Sequence, residues 1–289
     1  MPLPGETSER PTPESLVAAM PQLPPIAQVL ARLQRLLSDP NSGLDDIAEL
    51  IRLDAALTTR VIQISNSVWF GRGTPCRTIG DAVNRVGFRE VYHLVAVVAS
   101  GAIVAQPLAA YTRDATTMWH ESISCAFAAE MLADRLAEDT AVAYTAGLLH
   151  SIGRLAINKF ALAQGPALKP FADEHFPRDH SSAEFLLLGF TQADVAACML
   201  KKWDFAKTIT EPIREQYEPL EAQEPHDRMA AILYGARMLR SVICHKQEFG
   251  ESAEEDEVLN HLRMSREELL AFAPSLQTQL NRAHQMTKL

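Results

Sequence analysis

The chain has 289 residues, of which 47% are hydrophobic, 22% charged and 7% aromatic, and its formal net charge at pH 7 is −9. This length allows one large domain or two smaller ones around a substantial core. The negative charge argues against broad electrostatic binding to nucleic acid or to an anionic membrane. The low aromatic content does not favour a large β-sheet.

The N-terminal sequence, the apolar runs and the cysteines indicate the cellular compartment of the protein. The N-terminal sequence has no basic segment followed by an apolar stretch, so we expect no secretory signal. Apolar runs such as Leu94 to Val104 are shorter than a membrane span and are interpreted as buried helix. The four cysteines are scattered without a CxxC pair, as is typical of small buried residues in a reducing compartment. We therefore predict a cytoplasmic protein with no membrane segment.

The first part of the chain is predicted to be a short tail followed by five helices. Residues 1–22 are rich in proline and polar residues without an apolar period, which predicts a disordered tail. Apolar residues at helical spacing begin after Pro25 and stop at Asp39, and Ser42 is the expected N-cap of the second helix. Short helices joined by tight polar turns indicate a compact bundle. The remaining three helices are predicted after Asp54, over Thr78 to Val86 and over Phe88 to Val98.

The second part is also predicted to be helical. Gln106 to Thr117 is interpreted as a linker between two lobes, and residues 166–180 as irregular. Glu251 to Glu257 is predicted to be a solvated acidic stretch, followed by a helix capped by Ser265. No sustained alternation predicts a strand, so the predicted fold class is all-α. The other helices are predicted over Met118 to Leu136, Asp139 to Leu149, Ser182 to Leu188, Gln192 to Trp203, Thr208 to Gln216 and Asp227 to Cys244.

Two histidines form the most informative motif. His120 lies on one predicted helix, and His150 ends the next within the sequence LLHSIG. A histidine followed about thirty residues later by LLHxIG resembles the HD superfamily of metal-dependent phosphohydrolases. In that superfamily a histidine, a His-Asp pair and a distant aspartate hold divalent metal, which lowers the pKa of a bound water molecule.

Motifs in the first lobe narrow the resemblance. They are Leu23-Pro24-Pro25, the sequence LSDP at 37–40, the sequence IRLDAALT at 51–58, Ile64-Ser65-Asn66-Ser67 and the Ala82-Val83 to Val86-Gly87 element. In this order they resemble the opening of an HDOD domain, the HD-related output domain of bacterial signalling proteins. The resemblance covers roughly residues 22–240. It implies a two-lobed helical fold, with an N-terminal lobe over 23–112, an HD-like lobe over 113–246, and an acidic linker and C-terminal helix over 247–289.

The same resemblance identifies the positions at which the family would bind metal. His120 and His150 match, but Ser151 replaces the aspartate, and a serine hydroxyl is a poor ligand for a hard dication. Glutamines and an aromatic residue occupy the places of further histidines, and a cation lies near the place of the distal aspartate. The remnant positions are His120, His150, Ser151, Gln192, Gln216, Tyr217 and Arg237. We therefore predict no catalytic residue, no cofactor and no metal; if metal does bind, His120 and His150 are the expected ligands.

Three functions follow from these observations. The first is a non-catalytic regulatory module that binds a signalling protein or a small ligand, as a monomer or a homodimer. The second is a phosphohydrolase or phosphodiesterase acting on a nucleotide or cyclic dinucleotide with manganese, iron or zinc, in which Glu121, Asp134, Glu184 or Asp194 supplies the missing carboxylate. The third is a nucleic-acid-binding regulator, favoured only by the arginines of the first lobe and disfavoured by the net charge.

Overall fold

A computed structural model describes residues 11–20, 25–39, 41–67, 70, 74–103, 105–164, 180–245 and 252–287. Within these residues the chain is helical, and the only β-type pairing is an isolated bridge between Leu108 and Arg113. The all-α prediction is therefore confirmed. The helices are α1 (Pro13–Ala18), α2 (Pro25–Ser38), α3 (Leu44–Arg52), α4 (Ala55–Ser65), α5 (Ile79–Val86), α6 (Phe88–Ile103), α7 (Ala115–Leu136), α8 (Thr140–Leu149), α9 (Gly153–Ala163), α10 (His180–Leu188), α11 (Gln192–Lys202), α12 (Lys207–Arg214), α13 (Asp227–His245), α14 (Ala253–His261), α15 (Arg266–Leu270) and α16 (Ala273–Thr287), with a 3₁₀ helix at Ala109–Tyr111.

Helices α2 to α6 form the first lobe, and α7 to α13 form the second. In the second lobe α7 packs along both α8 and α13, while α11 packs on α9 and α12. Most core residues of the two lobes form one continuous cluster, and Ile64 and Leu94 of the first lobe form a small separate one. The boundary at residues 112 and 113 stays a prediction.

Capping side chains explain the starts of several helices. Asp54, Thr78, Asp114 and Asp139 each accept a hydrogen bond from a backbone N–H in the first turn of the helix that follows. The predicted cap of α3 is wrong, because Gly43 occupies the N-cap position instead of Ser42. Glycine has no side chain with which to cap the helix. Instead, the Asp46 carboxylate accepts a hydrogen bond from the backbone N–H of Gly43 at 2.7 Å, so this N-cap donor is satisfied.

The predicted disordered tail is wrong for residues 13–18, which form α1. Thr12 and Ser15 make a capping box, and Pro13 occupies the first turn. Leu16 and Val17 are buried against α9 and α11, and the Lys202 ammonium group donates to the Val17 carbonyl at 3.1 Å. One apolar pair is too short to produce a helical period, so the pattern did not reveal this helix.

Two other predicted loops also prove to be structured. Gln106 to Thr117 is not an open linker, because Leu108, Ala110 and Tyr111 are buried in the core and α7 already begins at Ala115. The acidic stretch is not a linker either, because Ala253–His261 is helical and buries Val258 and Leu259. Residues 166–179 of the predicted irregular segment lie outside the described residues, and residue 180 begins α10.

Taken singly, none of the described helices has both the length and the apolar character needed to cross a membrane; the bent pair α10 and α11, which meet at 82°, passes on length and composition alone.

Candidate functional site

Most of the positions predicted as a remnant HD site surround the turn between α8 and α9. His150 caps the C-terminus of α8, Ser151 follows it, and α9 begins at Gly153. Gly153 packs so closely on α11 that an added Cβ atom would lie 2.0 Å from the Gln192 carbonyl oxygen. The absence of a side chain at this position therefore lets the His150 turn press against the start of α11.

Hydrogen bonds fix the protonation of His150. Its Nε2 atom lies 3.0 Å from Nη1 of Arg240, and its Nδ1 atom lies 2.7 Å from the Gly147 carbonyl oxygen. Because a guanidinium group can only donate, Nε2 accepts and Nδ1 carries the proton. Burial, reinforced by the charges of Arg240 and Arg237, holds the pKa of His150 well below its ordinary value. The imidazole is therefore neutral, and its Nε2 atom already accepts a hydrogen bond from Arg240.

The predicted positions on α11 and after α12 meet at the His150 backbone. The side-chain amides of Gln192 and Gln216 both donate to the His150 carbonyl oxygen, at 3.0 and 2.8 Å. The Gln192 amide also donates to the Tyr217 hydroxyl at 2.9 Å. Where a metal-binding relative would have histidines, this chain has amides that stabilise a backbone turn.

Helix α13 contributes two arginines one turn apart. Arg237 donates to the Gln216 carbonyl oxygen at 2.6 Å, and its guanidinium lies 4.2 Å from the centre of the Tyr217 ring. Burial lowers the pKa of Arg237 and the charge of Arg240 adds to the effect, but an arginine remains protonated in proteins. Sequence reasoning identified Arg237 and missed Arg240, which is the residue in contact with His150.

One buried carboxylate faces several of these cations. Oε2 of Glu121 lies 3.5 Å from Nη1 of Arg154 and 3.9 Å from Nη1 of Arg240. Its other oxygen lies 3.6 Å from Nε of Arg113, which follows the 3₁₀ helix. Of the four carboxylates predicted as substitutes, Glu121 is thus the one found beside His150's partner Arg240, and it is surrounded by arginines.

The other predicted carboxylates have different roles. Glu184 accepts from the Tyr111 hydroxyl at 2.8 Å and from the Gln192 backbone N–H at 2.6 Å, so it closes the start of α11. Asp194 accepts the Thr191 N–H in the capping box of the same helix. Asp134 is exposed near the end of α7.

His120 is separated from His150 in its contacts. Its ring is half-buried and stacks on His284 of α16 with ring centres 5.5 Å apart. Desolvation, with His284 adding to it, lowers the pKa of His120. Both rings line a cleft of about 560 Å³, which also reaches Arg113, Glu121 and Cys244. Thus none of the described contacts joins His120 to His150, the two predicted metal ligands.

These residues do not fit the divalent metal of the HD superfamily. No group of three His, Cys, Asp or Glu side chains with suitable placement occurs in the described part of the chain. The lone pair of His150 faces Arg240, and Arg154 and Arg237 are also buried nearby. A dication placed here would meet guanidinium groups where it needs carboxylates.

Comparisons with known proteins identify the family. The HDOD domain matches residues 23–219, so the chain belongs to the HDOD family. A crystal structure of a candidate signal transduction protein from Marinobacter aquaeolei VT8 is 26% identical, with a TM-score of 0.71 over 95% of this chain and 61% of that one. A crystal structure of an HDOD domain protein of unknown function from Geobacter sulfurreducens is 21% identical, with a TM-score of 0.70 over 93% of this chain and 95% of that one.

An uncharacterized protein of Treponema pallidum (strain Nichols) is 25% identical over 217 residues, which is 71% of this chain. The match spans about two fifths of the length of that relative (41%). The resemblance seen in the sequence motifs is therefore confirmed at the level of family and fold.

Proposed function

We propose that this HDOD protein is a non-catalytic signal-transduction module that acts by binding a signalling protein or a small ligand. The observation that carries the proposal is the pairing of His150 Nε2 with Arg240, which occupies the nitrogen that an HD metal would need. The description of the Marinobacter relative as a candidate signal transduction protein supports the same function. The scattered cysteines keep the cytoplasm as the proposed location.

The remnant site supports a structural role for its polar residues. His150, Gln192 and Gln216 are buried, and the amides of Gln192 on α11 and of Gln216 just after α12 both donate to the His150 carbonyl at the end of α8. Helix α13 joins this network through Arg237, which donates to the Gln216 carbonyl, and through Arg240, which donates to the His150 ring. Such a network fixes the relative positions of helices, which a binding surface needs.

The test compares wild-type protein with the His120→Ala/His150→Ala double variant, using phosphomonoester, phosphodiester and cyclic-dinucleotide substrates with manganese, iron or zinc. We expect no turnover above the blank by either protein and a lower melting temperature for the double variant, because a buried imidazole with two hydrogen bonds is removed. His261→Ala, on α14, is the matched control. Hydrolysis by wild type and by the control that the double variant loses would overturn the proposal in favour of a phosphohydrolase.

A further inference from the structure

Among the described residues, positive charge is in excess around the remnant site. The guanidinium groups of Arg154, Arg237 and Arg240 are buried or nearly so, and Arg113 adds a fourth that is about one third exposed. Only two buried carboxylates, Glu121 and Glu184, lie among the described groups that act on Arg154, and Glu184 is already hydrogen-bonded to Tyr111 and the start of α11. His150 is neutral, so it adds no compensating charge. Buried charge without a full complement of counter-charge is costly, so this arrangement calls for an anion.

Several donors in the cluster also lack acceptors. The Nε atoms of Arg113, Arg154 and Arg240 are buried and have no hydrogen-bond partner among the described residues, and neither has the Ser151 hydroxyl. The ion pairs to Glu121 are 3.5 to 3.9 Å long, which exceeds hydrogen-bond distance. Buried donors are nearly always satisfied in native proteins, so these four groups are available to an acceptor from outside the chain, either water or a bound anion.

The cleft reaches one member of this cluster, Arg113, from outside. It has a volume of about 560 Å³ and is bordered by α7, α13 and α16, with Arg113 and Glu121 among its lining residues. Arg154 and Arg240 approach the second oxygen of the Glu121 carboxylate, so they lie behind this wall of the cleft. The volume is in the range of small-molecule sites and too small for a folded partner.

We propose that the arginine cluster, defined as Arg113, Arg154, Arg237 and Arg240, binds the phosphate groups of a small phosphate or diphosphate ester that enters through this cleft. Guanidinium groups recognise phosphate through paired, charge-assisted N–H donors, which is the donor type left unsatisfied here. Arg113 makes the first contact because it lines the cleft, and Glu121 competes with the phosphate for the same guanidinium groups. This inference rests on the proposed function and names the ligand class of the module.

The experiment measures binding by isothermal titration calorimetry at pH 7 and constant ionic strength, with inorganic phosphate, pyrophosphate and ADP as probes. We expect saturable binding of pyrophosphate or ADP by wild type. Arg113→Gln should weaken it about tenfold, because one charge-assisted contact is lost. Arg113 is partly exposed, so this variant should still fold, which a melting curve checks. Arg135→Gln, an exposed arginine at the far end of α7 paired with Glu268, is the matched control and should bind as wild type does.

A second pair of variants separates specific binding from general charge effects. Glu121→Gln removes the competing carboxylate and should tighten pyrophosphate binding, whereas Glu268→Gln, which removes the same charge from the exposed partner of Arg135, should leave it unchanged. Equal affinity for pyrophosphate and ADP would assign recognition to the phosphates alone, and tighter binding of ADP would add a nucleoside.

The inference is overturned if none of the three probes binds at millimolar concentration, or if Arg113→Gln binds as tightly as wild type. Chromatography of the ADP recovered after each titration keeps this outcome distinct from failure of the proposed function. Absence of binding with intact ADP removes only the ligand class. Cleavage of ADP in the presence of manganese, iron or zinc would instead contradict the non-catalytic module.

Discussion

At His150, burial and a neighbouring cation decide the state of a residue that would otherwise be ready to bind metal. The ring is 1% exposed, and its two nitrogens are held by Gly147 and Arg240. The sequence motif located this histidine correctly, but it could not show what faces it. Arg240 was missed because a helix alternates its faces every three to four residues, and an alignment uncertain by one turn cannot separate Arg237 from Arg240.

The buried neutral His150 predicts a pH dependence of stability. Its pKa is lowered in the folded state by burial first and by Arg240 and Arg237 next, so below about pH 6.5 the unfolded chain binds a proton that the folded chain excludes. Stability is thus full above that pH and falls as the pH drops below it, by roughly 1 kcal/mol per pH unit from this residue.

Urea unfolding of wild type and His150→Gln between pH 7.5 and 5 measures this contribution. We expect the variant to be less stable at pH 7.5 but to lose less stability on acidification. His120, whose pKa is also lowered by burial and by His284, acts in both proteins and cancels in the difference. Parallel pH profiles would contradict a buried, neutral His150.

Among the helices, close backbone contacts at two glycines hold the site in position. An added Cβ atom at Gly147 on α8 would lie 2.6 Å from the Cys125 carbonyl oxygen of α7, and one at Gly153 on α9 would lie 2.0 Å from that of Gln192 on α11. Neither contact could be predicted, because a glycine inside a helical pattern gives no indication of which helix approaches it. Most of the helices themselves were predictable, since they carry an apolar face and several begin with a capping side chain.

The space around the glycines predicts that replacement by alanine has opposite effects on stability at Gly153 and at Gly101. Gly153→Ala should destabilise the protein by about 2 kcal/mol or more, because backbone atoms of α11 must move. Gly101→Ala, at an exposed position of α6 where none of the described atoms lies within 4 Å of the added carbon, should be neutral or stabilising by up to about 1 kcal/mol. Thermal unfolding of both variants checks the contrast, which equal melting temperatures would refute.

Helix α1 belongs to the folded core although its sequence resembles a tail. Leu16 and Val17 are each 4% exposed, and Lys159 and Lys202 donate to carbonyl oxygens in and just after this helix. We expect Leu16→Ala to lower the free energy of unfolding by about 2 kcal/mol. Ala18→Ser, on the exposed side of α1, should change it by less than about 0.5 kcal/mol. Equal effects in urea unfolding would show that α1 does not pack as described.

Across the whole molecule, the C-terminal helix joins the two lobes. Helix α16 packs on α6 of the first lobe and on α7 and α13 of the second. Arg282 pairs with Glu90 of α6 at 3.0 Å and lies over the Phe70 ring, while His284 stacks on His120 of α7. The sequence alone left open whether this helix packs on its own domain, because an amphipathic helix does not identify its partner surface. Its packing places one wall of the cleft that reaches the arginine cluster at Arg113.

We propose that arginines and amides have replaced the metal of the HD site. This proposal is tested most directly by elemental analysis of protein purified without chelator from cells supplied with manganese, iron and zinc. We predict well-folded protein with far less than one equivalent of any of these metals, and no change in metal content in His120→Ala/His150→Ala. Near-stoichiometric metal that is lost from the double variant would contradict the account and identify a metal-dependent phosphohydrolase site.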